Sequence, residues 1–323
     1  MNKKLLAIAV AGALSAPLAA NAADVNMYGS LGWKLVDADN ASWDMRNTKA
    51  RLGWSATETT DYGKFIGQLE FDFDNGSNSS SQSGDSDELD VRRARVIWAT
   101  QGAGTFVFAG RTPSGQYADM YSHTDIFSHG GYHYFAQGDH TGKLVAWKTP
   151  VTNGLYAVLA LIANNTTAST DDIDVTGFRV VWNSGPWHAG GGVVIANNST
   201  ASDDTRESIG VSWKNNGLMV GATWEDGIGS GSTDGDQVLG VAASFTAGNN
   251  TFKAGFYDLS CDGAGGACVD STNHSGNMDG DSGIALEVAH AFSKNVTGFV
   301  TFDSVENSGT DSDSTAIGLN MSF

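Results

Sequence analysis

The stretch "GKFIGQLEFDFD" at 63–74 alternates without a break: Phe65, Leu69, Phe71 and Phe73 fall on one side, with Gly67. Lys64, Gln68, Glu70, Asp72 and Asp74 fall on the other. A period of two is that of a β-strand with two unlike faces. The same alternation sets Leu218, Val220, Ala222 and Trp224 against Gly221, Thr223 and Glu225 in "LMVGATWED". In "TFKAGFYD" it sets Phe252, Ala254 and Phe256 against Lys253 and Tyr257. The chain ends "TAIGLNMSF", where Ile317, Leu319, Met321 and Phe323 alternate with small or polar residues. No segment sustains a helical period beyond a turn or two.

The strands are divided by connections of two kinds. Short ones lie at 59–63, 100–104, 151–154, 183–186, 214–217, 247–250 and 293–295. Long ones lie at 75–88, 112–137, 164–172, 197–204, 226–236, 260–280 and 307–313. Short turns on one rim and long loops on the other predict a transmembrane antiparallel β-barrel, with periplasmic turns and extracellular loops. The intervening runs count to about sixteen strands, the first near 25–36 and the last near 314–323. A soluble sandwich would also alternate, but its loops would not sort by length. Lipid around the barrel and water inside it explain why an aromatic ends the chain while Asn320 and Ser322 face the other way. Pairing of the last strand with the first would remove both open edges, as a bilayer requires. Tryptophans such as Trp33, Trp98, Trp147, Trp182 and Trp213 fall toward strand ends, where an interfacial girdle would sit.

Composition narrows the picture. Lys3 and Lys4, the apolar "LLAIAVAGALSAPLAA" and the small-x-small "ANA" predict an export signal at 1–22, leaving a barrel domain at 23–323. Beyond it no apolar run is long enough for a membrane helix. The chain carries 36 acids against 18 Lys and Arg, and loss of the two signal lysines would take its net charge from −18 to −20. That balance excludes a nucleic-acid partner and suits long solvated loops. Cys261 and Cys268, in "CDGAGGAC", are candidates for a local disulfide in an exported chain. Closing so short a loop contributes roughly 2–2.5 kcal/mol in the chain-entropy account.

The segments "VNMYGSLGW", "KARLGW" (49–54), "GKFIGQLEFDF" (63–73), "VRRARVIW" (91–98), "GTFVFAGRTPSG" (104–115), "LVAWKTP" (144–150) and the terminal Phe323 stand in this order along the chain. Together they resemble the general diffusion porins of Gram-negative outer membranes over essentially the whole mature length. The resemblance implies a homotrimer of sixteen-stranded, water-filled barrels in a bilayer with lipopolysaccharide. It implies recognition of Phe323 by the barrel-assembly machinery, passage of small hydrophilic solutes, and no cofactor. It also implies that the third long loop, here 112–135, folds into the lumen. That loop is the longest interruption of the regular pattern.

Strand parity assigns the lumen-facing charges. With Leu52, Trp54, Val96, Trp98, Phe106 and Phe108 toward lipid, Lys49, Arg51, Arg93, Arg95 and Arg111 face inward, while Arg92 falls near the rim. Cations gathered on one wall require water and facing carboxylates. The candidates are Asp119 and Asp125 in the loop, with Glu70 and Asp72 as further lumen acids. Opposed charges across a narrow gap would set up a transverse field. Acidic mouths favour cations and the wall favours anions, and the carboxylates tilt the expectation toward cations. Tyr117, Tyr121 and Tyr132 offer rings to a solute. His123, His129, His133 and His140 crowd the same region, but no metal site is assigned because their spacing is not diagnostic.

Passive diffusion is thus the leading function, with a solute-specific channel, for sugars for example, as its nearest rival. An adhesive or structural barrel stands behind both. No G-x-S-x-G or H-E-x-x-H is present, so no enzyme is predicted.

Overall fold

A computed structural model describes residues 24–39, 41–74, 88–131, 134–135, 137–163, 173–196, 204–227, 236–261, 267–269, 275–277, 279–307 and 310–323. The strands are β1 (Asp24–Ala38), β2 (Asp44–Thr60), β3 (Gly63–Asp74), β4 (Glu88–Ala99), β5 (Thr105–Pro113), β6 (His140–Lys148), β7 (Leu155–Ile162), β8 (Val175–Ser184) and β9 (Trp187–Ala196). They continue with β10 (Asp204–Asn215), β11 (Leu218–Asp226), β12 (Gln237–Ala247), β13 (Asn250–Ser260), β16 (Ser282–Ala291), β17 (Val296–Asn307) and β18 (Thr310–Ser322). These sixteen form one closed antiparallel barrel in which each neighbours the next, and β1 pairs with β18. A separate two-stranded ribbon, β14 (Ala267–Val269) with β15 (Ser275–Asn277), lies in the connection between β13 and β16. The proposed signal at 1–22 lies outside the described residues.

Alternation is expressed as an inverted core. One face of the strands presents Leu31, Val96, Phe108, Leu159, Phe178, Ile209, Phe256, Leu286, Val300 and Ile317 outward, each 40–55% exposed. The buried residues on the other face include Glu70, Ser208, Thr223, Glu225, Glu287, Thr301 and Asp303. Apolar groups outside and polar groups inside fit a sleeve between lipid and water. Phe65, Trp98, Phe106 and Trp147 stack in sequence along the rim of short turns. The indoles of Trp98 and Trp147 donate to the carbonyls of Tyr62 and Ala103, at 3.0 and 2.8 Å. An apolar ring with a satisfied polar edge suits the membrane interface.

Closure runs from Ser30 opposite Ser322 to Ala38 opposite Ser314. Phe323 extends it, its amide and carbonyl bonding those of Gly29 at 3.0 Å. The absent side chain at Gly29 leaves room for the Phe323 ring, which a Cβ there would strike. The chain end therefore fills a seam on the outside of the barrel instead of fraying.

The connections depart from the sequence expectation at two places. A long loop was expected at 307–313, but β17 reaches Asn307 and β18 begins at Thr310. The run "TDSDS" is polar on both faces and reads as loop, yet it is strand because it pairs with β17 above the apolar band. The connection between β1 and β2, 39–43, is also short for the rim it occupies.

The inside–outside assignment has a direct test. Val300→Arg, near the middle of β17 on the lipid face, is expected to cost about 2–4 kcal/mol. Thr297, part-exposed on the luminal face of the same strand, escapes that lipid penalty. Urea unfolding in lipid vesicles measures both; equal losses for Val300→Arg and Thr297→Arg would contradict the assignment.

Candidate constriction of the lumen

The segment between β5 and β6, residues 114–139, enters the barrel instead of leaving it. It begins two residues later and ends four later than the expected 112–135. Ser114 caps a short helix, α1 (Gly115–Met120), its hydroxyl accepting from the Tyr117 amide at 3.2 Å. A 3-10 turn follows at Tyr121–His123.

The wall of β9–β11 receives this segment on glycine. A Cβ at Gly210 would collide with the backbone of Met120, and one at Gly221 with the carbonyl of His123. Absent side chains thus let backbone lie on backbone. Polar groups then fix it at intervals around the barrel. Gln116 donates to Ser208 at 3.1 Å, and the Tyr121 hydroxyl to Glu225 at 2.8 Å. Thr223 donates to the Met120 carbonyl at 2.7 Å, and the Tyr257 hydroxyl to the Thr124 carbonyl at 2.8 Å. Glu287 accepts from the Ser128 amide at 2.5 Å, from Thr301 at 2.9 Å and from Lys253 at 2.6 Å. Gly131 donates to Asp303 at 2.9 Å, and His129 contacts both Ser314 and Lys34 at 3.0 Å. Between these contacts Met120, Tyr121, Tyr134 and Phe135 pack with Val238, Tyr257 and Leu259 in a buried apolar cluster.

The opposite wall carries the cations. Lys49, Arg51, Arg92 and Arg111 line one cavity of about 440 Å³, together with Asp72, Asp90, Asp139 and His140. Arg92 corrects the parity reading. Glu70 opposes Arg93 while Phe71 opposes Val91, so Arg92 is the extra residue of a β-bulge. Two consecutive arginines therefore reach the lumen. Related irregularities occur at Thr48, between Gly32 and Trp33 of the partner strand, and at Gly110, between Ala94 and Arg95.

The carboxylates are distributed otherwise than expected. Glu70 is buried beneath the wall, 2.6 Å from Arg92 and 3.5 Å from Arg93. Asp72 pairs with Arg51 at 3.1 Å and approaches Arg92 at 3.8 Å. Asp119 does not face the basic wall: it meets Arg179 of β8 at 2.5 Å and accepts from Tyr156 of β7 at 2.9 Å. It anchors the helix to the far side, where Gly190 and Gly210 let the backbone of Asp119 and Met120 lie against β9 and β10. Asp125 accepts from the Tyr117 hydroxyl. Burial raises the Asp125 carboxyl above its usual range, against the opposing hydrogen bond from Tyr117. Burial and the neighbouring Asp125 likewise raise the Tyr117 hydroxyl. Asp139, at the end of the inserted segment, does face the wall, 3.6 Å from Arg92. Its hydrogen bond to His140 and the nearby arginines hold it below the usual carboxylate range, against burial.

Tyr121 has no exposed surface and packs the segment against the wall, so it offers no ring to a solute. Tyr132 and His133 lie outside the described residues. His123 sits against His188, ring centres 4.4 Å apart, and both Nε2 atoms approach the Asp119 carbonyl, at 3.1 and 2.8 Å. Burial and then His188 lower the His123 pKa to about 4. Cys261 is disulfide-bonded, and the chain's other cysteine is Cys268. Sequence reasoning missed Asp90, Asp139, Arg179 and Arg206. Arg179 was available from parity, since Phe178 faces lipid; Asp139 was not, because its loop position follows no period.

Two substitutions separate the modes of attachment. Gly210→Val is expected to push α1 off the wall into the lumen and lower single-channel conductance. Glu287→Ala leaves Lys253 without its carboxylate and frees Ser128, at a cost of about 3–5 kcal/mol for a buried pair broken on one side. It is expected to lower the temperature of heat modification on gels. An unchanged wild-type conductance in the first variant, or an unchanged temperature in the second, would refute the corresponding attachment.

A family model described as Gram-negative porin matches residues 6–310. No curated protein matches the chain by sequence. Among solved structures it is similar to the anion-selective porin from Comamonas acidovorans, at 16% identity and a TM-score of 0.74, covering 93% of this chain and 100% of that one. It is also similar to Salmonella typhi OmpF in complex with daunomycin, at 14% identity and a TM-score of 0.72, covering 93% and 97%. The trimer form of Vibrio cholerae OmpT gives 16% identity and a TM-score of 0.64, covering 94% and 100%. At these identities the structures speak to the fold, which is the same barrel. With the family match spanning most of the sequence, the chain belongs to the Gram-negative porins and is an outer-membrane β-barrel channel for the passive diffusion of solutes.

Proposed function

We propose that ions and small hydrophilic solutes pass between the basic wall of β2, β4 and β5 and the inserted segment, and that this constriction favours anions weakly. The supporting observation is where the carboxylates are. Lys49, Arg51, Arg92, Arg93, Arg95 and Arg111 stand on the wall, whereas among the described residues only Glu70, Asp72, Asp90 and Asp139 stand among them. Asp119 is engaged by Arg179, and Asp125 by the Tyr117 hydroxyl. The cation preference suggested by net charge therefore gives way near the narrowest point, where fixed charges lie within a Debye length of the ion, about 10 Å at 0.1 M salt. The Comamonas acidovorans structure is of an anion-selective porin, which agrees with this reading.

In this reading the protein acts as a homotrimer, as one Vibrio cholerae relative does in its trimer form. It resides beside lipopolysaccharide, and Phe323 is read by the barrel-assembly machinery after removal of 1–22. It performs no catalysis and needs no cofactor. A sugar-specific channel is less well supported, because Tyr121 is buried and Tyr117 is tied to Asp125.

Planar-bilayer recording across a potassium chloride gradient tests the proposal. Stepwise conductance with a reversal potential of anionic sign is expected, and Arg51→Ala with Arg111→Ala should move that potential toward the cation side. A cation-selective wild type would refute the assignment of the constriction, and absence of steps from folded protein would refute conduction.

The inserted segment also predicts an acid response. The depressed His123 pKa makes the unfolded chain the better proton acceptor between its ordinary value near 6.5 and about 4. This contribution to stability is therefore present above pH 6.5 and lost as the pH falls toward 4. Heat-modification temperature should drop over that interval, and His123→Asn should flatten the drop. Identical profiles for the two proteins would exclude His123 as the cause.

A further inference from the structure

The inner face of β5–β9 is not uniformly polar. Cross-strand partners share a face, and the registers Val107–Ala146–Ala160 and Leu144–Ile162–Val175 place small apolar side chains in adjoining rows. Val194 of β9, opposite Gly177, continues the first row. They line a luminal cavity of about 350 Å³, closed at one side by Ser114, Gly115 and Gln116 at the start of the inserted segment. A volume near the lower end of the usual ligand range suits a small molecule.

The charges around this cavity have one sign. Arg95, Lys148, Arg179 and Arg206 belong to its lining, and among the described residues no Asp or Glu does. Two of these cations are already engaged: Arg179 by Asp119 at 2.5 Å and Arg206 by Glu225 at 3.2 Å. Arg95 is different. Its Nε donates to the Gln68 amide oxygen at 2.7 Å and one terminal nitrogen donates to the Thr112 hydroxyl at 2.8 Å. Among the described residues these acceptors are neutral, and no carboxylate is within ion-pair distance. The bond to Thr112 carries the guanidinium from β4 across to β5, next to the β6 strand that bears Leu144 and Ala146. Lys148 lies at the other end of the patch, its Nζ 3.6 Å from the centre of the Tyr156 ring.

A sheltered guanidinium with no carboxylate in direct contact favours an anion, and the adjoining apolar wall favours a hydrocarbon body. Resting on the reading of this lumen as an open diffusion path, we infer that the cavity on β5–β9 is a binding station for small amphipathic monocarboxylates. Their carboxylate meets Arg95, and their alkyl or aryl body lies on Val107, Leu144, Ala146, Ala160, Val175 and Val194. An inorganic anion would use the charge alone and leave that wall wet.

The test is transient block of single-channel current by a homologous series of sodium salts, acetate, propionate, butyrate, valerate and hexanoate, with hexanamide as the uncharged control. Each methylene that reaches the apolar wall should lower the half-blocking concentration up to about fourfold, the factor for a buried CH₂ of about 0.8 kcal/mol. Hexanamide should block far more weakly than hexanoate. Arg95→Gln should raise the half-blocking concentration of hexanoate about tenfold or more, as for loss of a charged hydrogen bond. Val194→Asn should flatten the dependence on chain length while sparing block by acetate. Blocking independent of chain length, or equal for hexanoate and hexanamide, would overturn the inference. If Arg95→Gln does not assemble, the series on the wild type and on Val194→Asn still decides. Absence of conductance steps before any carboxylate is added would instead sink the diffusion reading itself.

Discussion

In a bilayer core a backbone amide or carbonyl has only another backbone group to bond, and every other feature of this protein follows from satisfying that requirement with strands. The pairing of β1 with β18, extended to Phe323 by its bonds to Gly29, leaves the ring without an edge. Once closed, the ring has a fixed interior, and each strand must present one face to hydrocarbon and the other to water. The ordinary relation between burial and polarity is thereby reversed. Glu225 and Glu287 are among the most buried side chains, while Phe256 and Ile317 stand half exposed.

A wide polar cylinder does not discriminate among solutes, and the inserted segment is what narrows it. Its attachment combines two unlike devices. Gly210 and Gly221 let its backbone lie against the wall, where a side chain would hold it off. Buried carboxylates then accept its free amides and hydroxyls. Glu287 illustrates why such groups are tolerated: with Ser128, Thr301 and Lys253 around it, its oxygens are matched by donors. A buried charge so satisfied fixes geometry more than it adds stability.

The electrostatics of the passage follow from that attachment. Carboxylates that hold the segment to β8 are not available to the opposite wall, so Asp119 leaves the cations of β2, β4 and β5 less neutralised than the composition suggests. The bulges at Thr48, Arg92 and Gly110 lie on those same three strands. A bulge advances the alternation by one residue, which is how adjacent Arg92 and Arg93 both reach Glu70. The neighbouring β5–β9 wall carries small apolar side chains instead, so the lumen offers an advancing solute two different surfaces.

The strand alternation and the division of connections determined the barrel, its strand number and the lipid-facing residues. Those features were legible because a period of two is a local property, repeated wherever a strand separates lipid from water. Arg92 was misplaced because a bulge is set by the partner strand, not by its own neighbours in sequence. Asp119 and Tyr121 were misread for a related reason: a loop has no periodicity, and its contacts are set by the wall it lands on, here β7–β11. Asp139 acquires its role from Arg92, 47 positions away, and the glycine landing sites at Gly210 and Gly221 from residues about ninety or more positions away. The sequence by itself therefore determined the sleeve and which side of it faces water. Only the tertiary structure decided which charges inside that water are already spoken for, because pairing energies fall off within a few ångströms and depend on a third dimension that alternation does not encode.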